Sequence, residues 1–269
     1  MISFTDIGVL FLLGSLGGIL AGLLGIGGGV IYVLIFNHYL HKIGISDAFI
    51  VPSIIANSMF AILFAGLSGS YKQWKNKNFF PKEMFIAGLS ASVSSIFFSY
   101  IISKGNWYTK ESFSLFFIIL LVLIAIRIFT QRKKIELEEN KNVSINSLSL
   151  TGIVSGTIAA FSGIGGGVII VPILTDLIKL PIKKATSISL GVISIMAFFT
   201  SLFNGVNNFS SSTDASLIIF SLALPVAIGS LIASPVGVQL ATKLKPSQIK
   251  VVLFLFLVSV ILKMLMELL

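Results

Sequence analysis

No cysteine occurs among the 269 residues. Disulfides, thiolate metal sites and thiol nucleophiles are therefore excluded. Histidine is nearly as scarce, with two residues, His38 and His41, at the end of an apolar run. Acidic side chains number ten; Asp6, Asp47, Glu83, Asp214, Glu136, Glu138 and Glu139 all fall at the ends of apolar runs or between them. Asp176 comes nearest to a run's interior and is expected to face the membrane surface. A membrane-embedded enzyme would need an acid pair, a Ser–His arrangement or a metal cluster. None of these can be assembled from this inventory, so no catalytic, metal or cofactor site is expected. A carboxylate proton relay at a helix centre is missing as well. The start, "MISFTDIGVLF", lacks a basic n-region and a small-residue cleavage site, so no cleaved signal peptide is expected.

What the chain has instead is apolar length. Hydrophobic residues make up 55% and charged residues 11%. Runs such as Ser112 to Phe129 and Ile249 to Met266 can span a hydrocarbon core of roughly 30 Å. This defines an all-α polytopic membrane protein. The net charge of +9 sits in short loops between apolar runs, where lysines act as orientation signals, so no nucleic-acid partner is expected.

The apolar segments are Phe4–Leu24, Val30–Leu40, Ala48–Gly69, Met84–Ile102 and Ser112–Thr130, then Leu148–Ser162, Val168–Leu180, Ala185–Phe203, Ser216–Leu240 and Ile249–Leu268. Between the two sets lies a polar linker, "QRKKIELEENKNVSINS". "GILAGLLGIGGGVIYVLIF" from Gly18 recurs as "GTIAAFSGIGGGVIIVPIL" from Gly156, an offset of 138. Beyond the glycines, Ser53, Ser58, Ala61 and Gly69 match Ser189, Ser194, Ala197 and Gly205 at an offset of 136. The expected organisation is a first transmembrane repeat at 1–130, a linker at 131–147 and a second repeat at 148–269. Internal repeats of this kind are common in transporters.

Charge distribution distinguishes two topologies. With eight simple crossings the 19 Lys and Arg residues divide almost evenly between the two faces. If each glycine-broken unit enters and returns on one side, fifteen fall on the linker face and four (Lys42, Lys104, Lys110 and Lys263) on the other. The positive-inside rule selects the second topology. It predicts two inverted repeats, each a helical hairpin plus three transmembrane helices, with the linker cytoplasmic and both termini outside. The arms after the glycines, at 11 and 13 residues, are too short to cross at about 1.5 Å per residue.

A hairpin tip inside the bilayer is tolerated only where protein or water satisfies its backbone. Glycine allows the positive φ such a turn needs. The arm that follows begins with unpaired N–H groups, an anion site without a charged side chain. The candidate substrate-binding groups are therefore Gly25, Gly27, Gly28 and Gly29, with Gly163, Gly165, Gly166 and Gly167. Side-chain donors are expected from the next helix of each half: Ser53 and Asn57 in the first, Thr186, Ser187 and Ser189 in the second. Asn57 stands out, because a primary amide deep in an apolar helix requires a partner. Gly14, Gly18 and Gly22, and Gly152, Gly156 and Ala160, recur every fourth residue and predict flat faces for close helix packing. "GIGGGVIY" lacks the Lys-Ser/Thr of a P-loop and has no βαβ setting.

The paired glycine motifs, "ATSIS" at Ala185 and the tail "VAIGSLIASPVGVQLATKLKPSQIKVVLFLFLVSVILKML" resemble the sulfite exporter TauE/SafE family of permeases. The resemblance extends over nearly the whole chain. It implies a secondary transporter in the bacterial inner membrane for a small anion such as sulfite or an organosulfonate. Leu34 stands where the second copy has Pro172, and Pro52 precedes Ser53 where members often show a Thr-Ser pair. An anion channel for similar solutes remains the alternative. Proton coupling and oligomeric state are left open by the sequence.

Overall fold

The computed structural model describes residues 3–104, 107–130, 143–206 and 217–244, together with 254, 257, 258, 260–262 and 264. Most of the expected linker, 131–142, lies outside the described residues. So does most of the last expected helix, although its described residues are helical.

The first five helices are α1 (Phe4–Leu24), α2 (Gly29–Lys42), α3 (Asp47–Lys75), α4 (Pro81–Lys104) and α5 (Lys110–Thr130). Then follow α6 (Ile145–Ser162), α7 (Gly167–Pro172), a π-helical segment (Ile173–Leu177), α8 (Ile182–Val206) and α9 (Phe220–Lys243). Among the described residues six of them, α1, α3, α4, α6, α8 and α9, are long and apolar enough to cross a membrane. Their outward faces carry large apolar side chains such as Leu12, Val93, Phe97 and Ile232, the surface expected of helices that meet lipid.

α2 doubles back along α1. Lys42 Nζ at its end lies 2.8 Å from Asp6 Oδ1 at the start of α1. A surface pair of this kind adds little stability, so its message is geometric: both ends of the hairpin lie together. The second arm differs for a local reason. Pro172 cannot donate to the helix ladder and crowds the preceding turn. The chain widens into a π-helical turn directly after it, whereas α2, with Leu34 at the matching position, stays regular to Lys42.

α3 and α8 form the centre, with Ile54, Met59, Ile62, Ile188, Ile193 and Met196 fully buried. They run antiparallel: Gly66 lies against Ser194, Gly69 against Leu190, and Asn78, just past the end of α3, bonds the Lys183 carbonyl at the start of α8. The flanking pairs repeat each other. Gly14, Gly18 and Gly22 of α1 rest on the backbone of Val226, Ser230 and Ser234 of α9. Gly152 and Gly156 of α6 rest on that of Ala87 and Ala91 of α4. Both pairs are parallel. The every-fourth small residues thus have the packing role expected of them.

The contacts correct one register in the sequence comparison. Ile55, Ser58 and Ile62 of α3 meet the second glycine cluster as Thr186, Ser189 and Ile193 of α8 meet the first. The spatial offset between these helices is 131, as the three residue pairs show, and not 136. Serine and alanine recur so often in small-residue membrane helices that a five-residue slip still produced matches.

Candidate functional site

The two glycine clusters adopt one conformation. Gly25, Gly27 and Gly28 have φ of 71°, 87° and 71°, and Gly163, Gly165 and Gly166 have 68°, 86° and 68°. Gly28 and Gly166 are the N-caps of α2 and α7. Their carbonyls accept the first amides of each arm, from Ile31 and Tyr32 and from Ile169 and Ile170. The amides of Gly27, Gly28, Gly165 and Gly166 find no backbone acceptor among the described residues, although all four glycines are buried. Buried donors left in this way are rare, and an explanation is required for each.

The two tips touch each other through main chain. A Cβ on Gly29 would strike the carbonyl of Ile164, and one on Gly167 would stand 2.6 Å from the carbonyl oxygen of Gly25. Each tip also presses on its own hairpin partner, Gly28 on the backbone of Gly17 and Gly166 on that of Ser155. A side chain at any of these positions would push backbone against backbone. The carbonyls of the clusters are held from the central helices: Ser58 donates to the Gly163 carbonyl at 2.7 Å and Ser189 to the Gly25 carbonyl at 2.6 Å. The carbonyls of Gly25, Gly28, Gly163, Gly165 and Gly166 are thus occupied, which leaves the amides of Gly27, Gly28, Gly165 and Gly166 among the unpaired groups of the tips.

The other expected donors bond elsewhere. Asn57 is fully engaged: Nδ2 donates to the carbonyls of Ser53 (2.7 Å) and Leu217 (2.8 Å), and Oδ1 accepts from the Ile219 amide (2.9 Å). It ties α3 to the strand-like entry of α9. Asn57→Ala would orphan a buried amide and carbonyl, at about 1–3 kcal/mol. The expected outcome is a clear drop in thermal midpoint in detergent, with the substrate KM of the surviving protein unchanged. Ser53 is buried one turn before it. Ser187 donates to the Asn78 carbonyl, the corresponding tie from α8 to the entry of α4. Thr186 bonds its own helix at the Lys183 carbonyl (3.1 Å) while its backbone abuts Gly25.

Two groups of interest escaped the sequence reading. Tyr32, one turn into α2, is fully buried, and its hydroxyl has no hydrogen-bond partner among the described residues. That hydroxyl stands beside the first tip, 2.8 Å from where a Gly28 Cβ would be. The signal was present in "GGGVIY" against "GGGVII", where the second copy has Ile170. Asp176, expected to face the surface, pairs with Arg127 of α5: Nη2 and Nε lie 2.6 and 3.0 Å from Oδ2. This partly buried fork pins the π-helical segment to α5.

A helical protein whose apolar spans enclose two doubled-back, amide-rich tips is a multi-pass membrane transporter by class. Residues 9–264 match the sequence profile of the sulfite exporter TauE/SafE family, and the chain belongs to that family. It is 27% identical over 253 residues to a probable membrane transporter protein of Methanocaldococcus jannaschii, covering 91% of this chain and 90% of that one. A probable membrane transporter protein of Haemophilus influenzae is 26% identical over 270 residues, with 98% and 100% covered. The probable membrane transporter protein YunE of Bacillus subtilis is 24% identical, with 92% and 94% covered.

Proposed function

We propose that the protein is a secondary transporter that moves a small sulfur oxyanion, sulfite or an organosulfonate, across the bacterial inner membrane. The solute binds where the two glycine tips meet. The observation that carries this reading is the set of four buried tip amides, at Gly27, Gly28, Gly165 and Gly166, without a backbone acceptor among the described residues. Unpaired amides and the positive end of α2 favour a negative charge, and no cationic side chain is required. Tyr32 adds one hydroxyl donor on the first tip. Family membership supports the substrate class.

In this reading the halves are inverted repeats, with the linker cytoplasmic and both termini outside, and one half rocks against the other. Antiparallel α3 and α8, and the matched pairs α1–α9 and α6–α4, support such a two-fold relation. The tips are closed on one another here, so the halves must part for a solute to enter.

The test is binding and flux in purified protein. Sulfite, thiosulfate or a sulfonate should raise the thermal midpoint, and carboxylates of similar size should not. Proteoliposomes should show saturable uptake with counterflow. Tyr32→Phe should raise KM by about fivefold, one neutral hydrogen bond, with only a small change in the unliganded midpoint. Indifference to every sulfur anion overturns the substrate assignment. Single-channel currents in place of counterflow overturn the carrier.

A further inference from the structure

An open groove of about 370 Å³ runs between the end of α3, the start of α4 and the middle of α8, away from the glycine tips. Tyr71, Trp74, Phe79, Met84 and Phe85 form its walls and Gly191 part of its floor. Its lining offers almost nothing to a small hydrophilic solute. Of its two serines, Ser194 donates to its own helix at the Leu190 carbonyl (2.6 Å). Its walls continue into the lipid-facing surface, since Leu67, Tyr71, Trp74 and Phe85 are about half exposed.

The rim of the groove is cationic. Lys75 follows Trp74 at the end of α3, and Lys82 follows Pro81 on the first turn of α4. Lys75 Nζ lies 4.8 Å from the centre of the Tyr71 ring, directly beside the groove wall. Lys77, in the connecting turn, is exposed on the same edge. From residue 66 to 86 the sole acidic side chain is Glu83, and it is drawn to Lys184 at 3.8 Å. Tyr71 and Trp74, with tilted rings whose centres lie 5.8 Å apart, are the amphipathic aromatics that settle at headgroup level. An apolar slot that opens to lipid under a cluster of lysines matches one chemistry: acyl methylenes below, a negatively charged headgroup above.

We propose that this groove is a binding site for an anionic phospholipid, with one acyl chain against Trp74 and Phe85 and the phosphate among Lys75, Lys77 and Lys82. Trp74 is a built-in reporter, because the chain holds two tryptophans and Trp107 can be removed. The full-length Trp107→Phe protein is reconstituted in phosphatidylcholine vesicles containing a fixed fraction of lipid with brominated acyl chains. Brominated phosphatidylglycerol should quench Trp74 several-fold more strongly than brominated phosphatidylcholine at the same fraction. Replacing Lys75, Lys77 and Lys82 by glutamine should erase that preference, by about fivefold for each lysine in relative affinity. These side chains are at the surface, so the variant should fold. Equal quenching by the two lipids, or a preference that survives loss of the three lysines, overturns the proposal.

Discussion

Gly28→Leu and Gly166→Leu should each reduce transport in proteoliposomes to background. Both positions have positive φ, near 70°, which disfavours any residue with a Cβ by about 1–2 kcal/mol. Both also touch backbone, of Gly17 and Ser155 respectively, so the side chain can enter only if the tip moves off its hairpin. Displacement of the tip re-aims the amides on which the proposed anion site depends. The second substitution is as informative as the first, since the two tips share one geometry. Normal flux in either variant would remove that tip from the pathway. Gly8→Leu is the matching control: nothing lies within 4 Å of a Cβ there, and transport should be unchanged.

Gly18→Leu should act earlier, on assembly. A Cβ at Gly18 would stand 2.7 Å from the backbone of Ser230 in α9, and the neighbouring contacts Gly14–Val226 and Gly22–Ser234 keep the helices from separating locally. Overpacking of a side-chain interface usually destabilises by about 1–3 kcal/mol. Here the obstacle is main chain on both sides, so the effect should exceed that range. The measurement is the yield of monodisperse protein in size-exclusion chromatography, which should collapse, as should that of Gly156→Leu at the equivalent α6–α4 contact. A normal yield with normal flux would mean that α1 and α9 do not pack this closely.

Sequence periodicity and glycine placement made much of the architecture legible. Phe4–Leu24 is α1 to the residue, and the other described helices begin or end within a few residues of their apolar runs. The hairpin of α1 and α2 could be read because three adjacent glycines exceed what packing needs and the arm beyond is short. Partners distant in sequence were not legible. Asn57 was marked because an apolar helix cannot leave an amide unpaired, but its partners lie 160 and 162 residues away in a segment without a motif. Ser187 likewise bonds a carbonyl, and any residue can supply a carbonyl. Arg127 and Asp176 lie 49 residues apart with no motif to join them. The register of α3 against α8 could not be fixed by identity, because what occupies equivalent space there is Ile55 with Thr186 and Ile62 with Ile193.

The meeting of the two tips through bare backbone bears on leakage. Side chains could rotate out of the way and let one arm yield while the other stayed put. Peptide groups in mutual contact have no such play, and protein interiors compress little. Gly29 on the Ile164 carbonyl and Gly167 on the Gly25 carbonyl therefore act like meshed teeth: displacement of one arm drives the other. In the carrier proposed above, the seal toward one compartment would tighten as the opposite one loosens, so that no continuous aqueous path would form between the two sides.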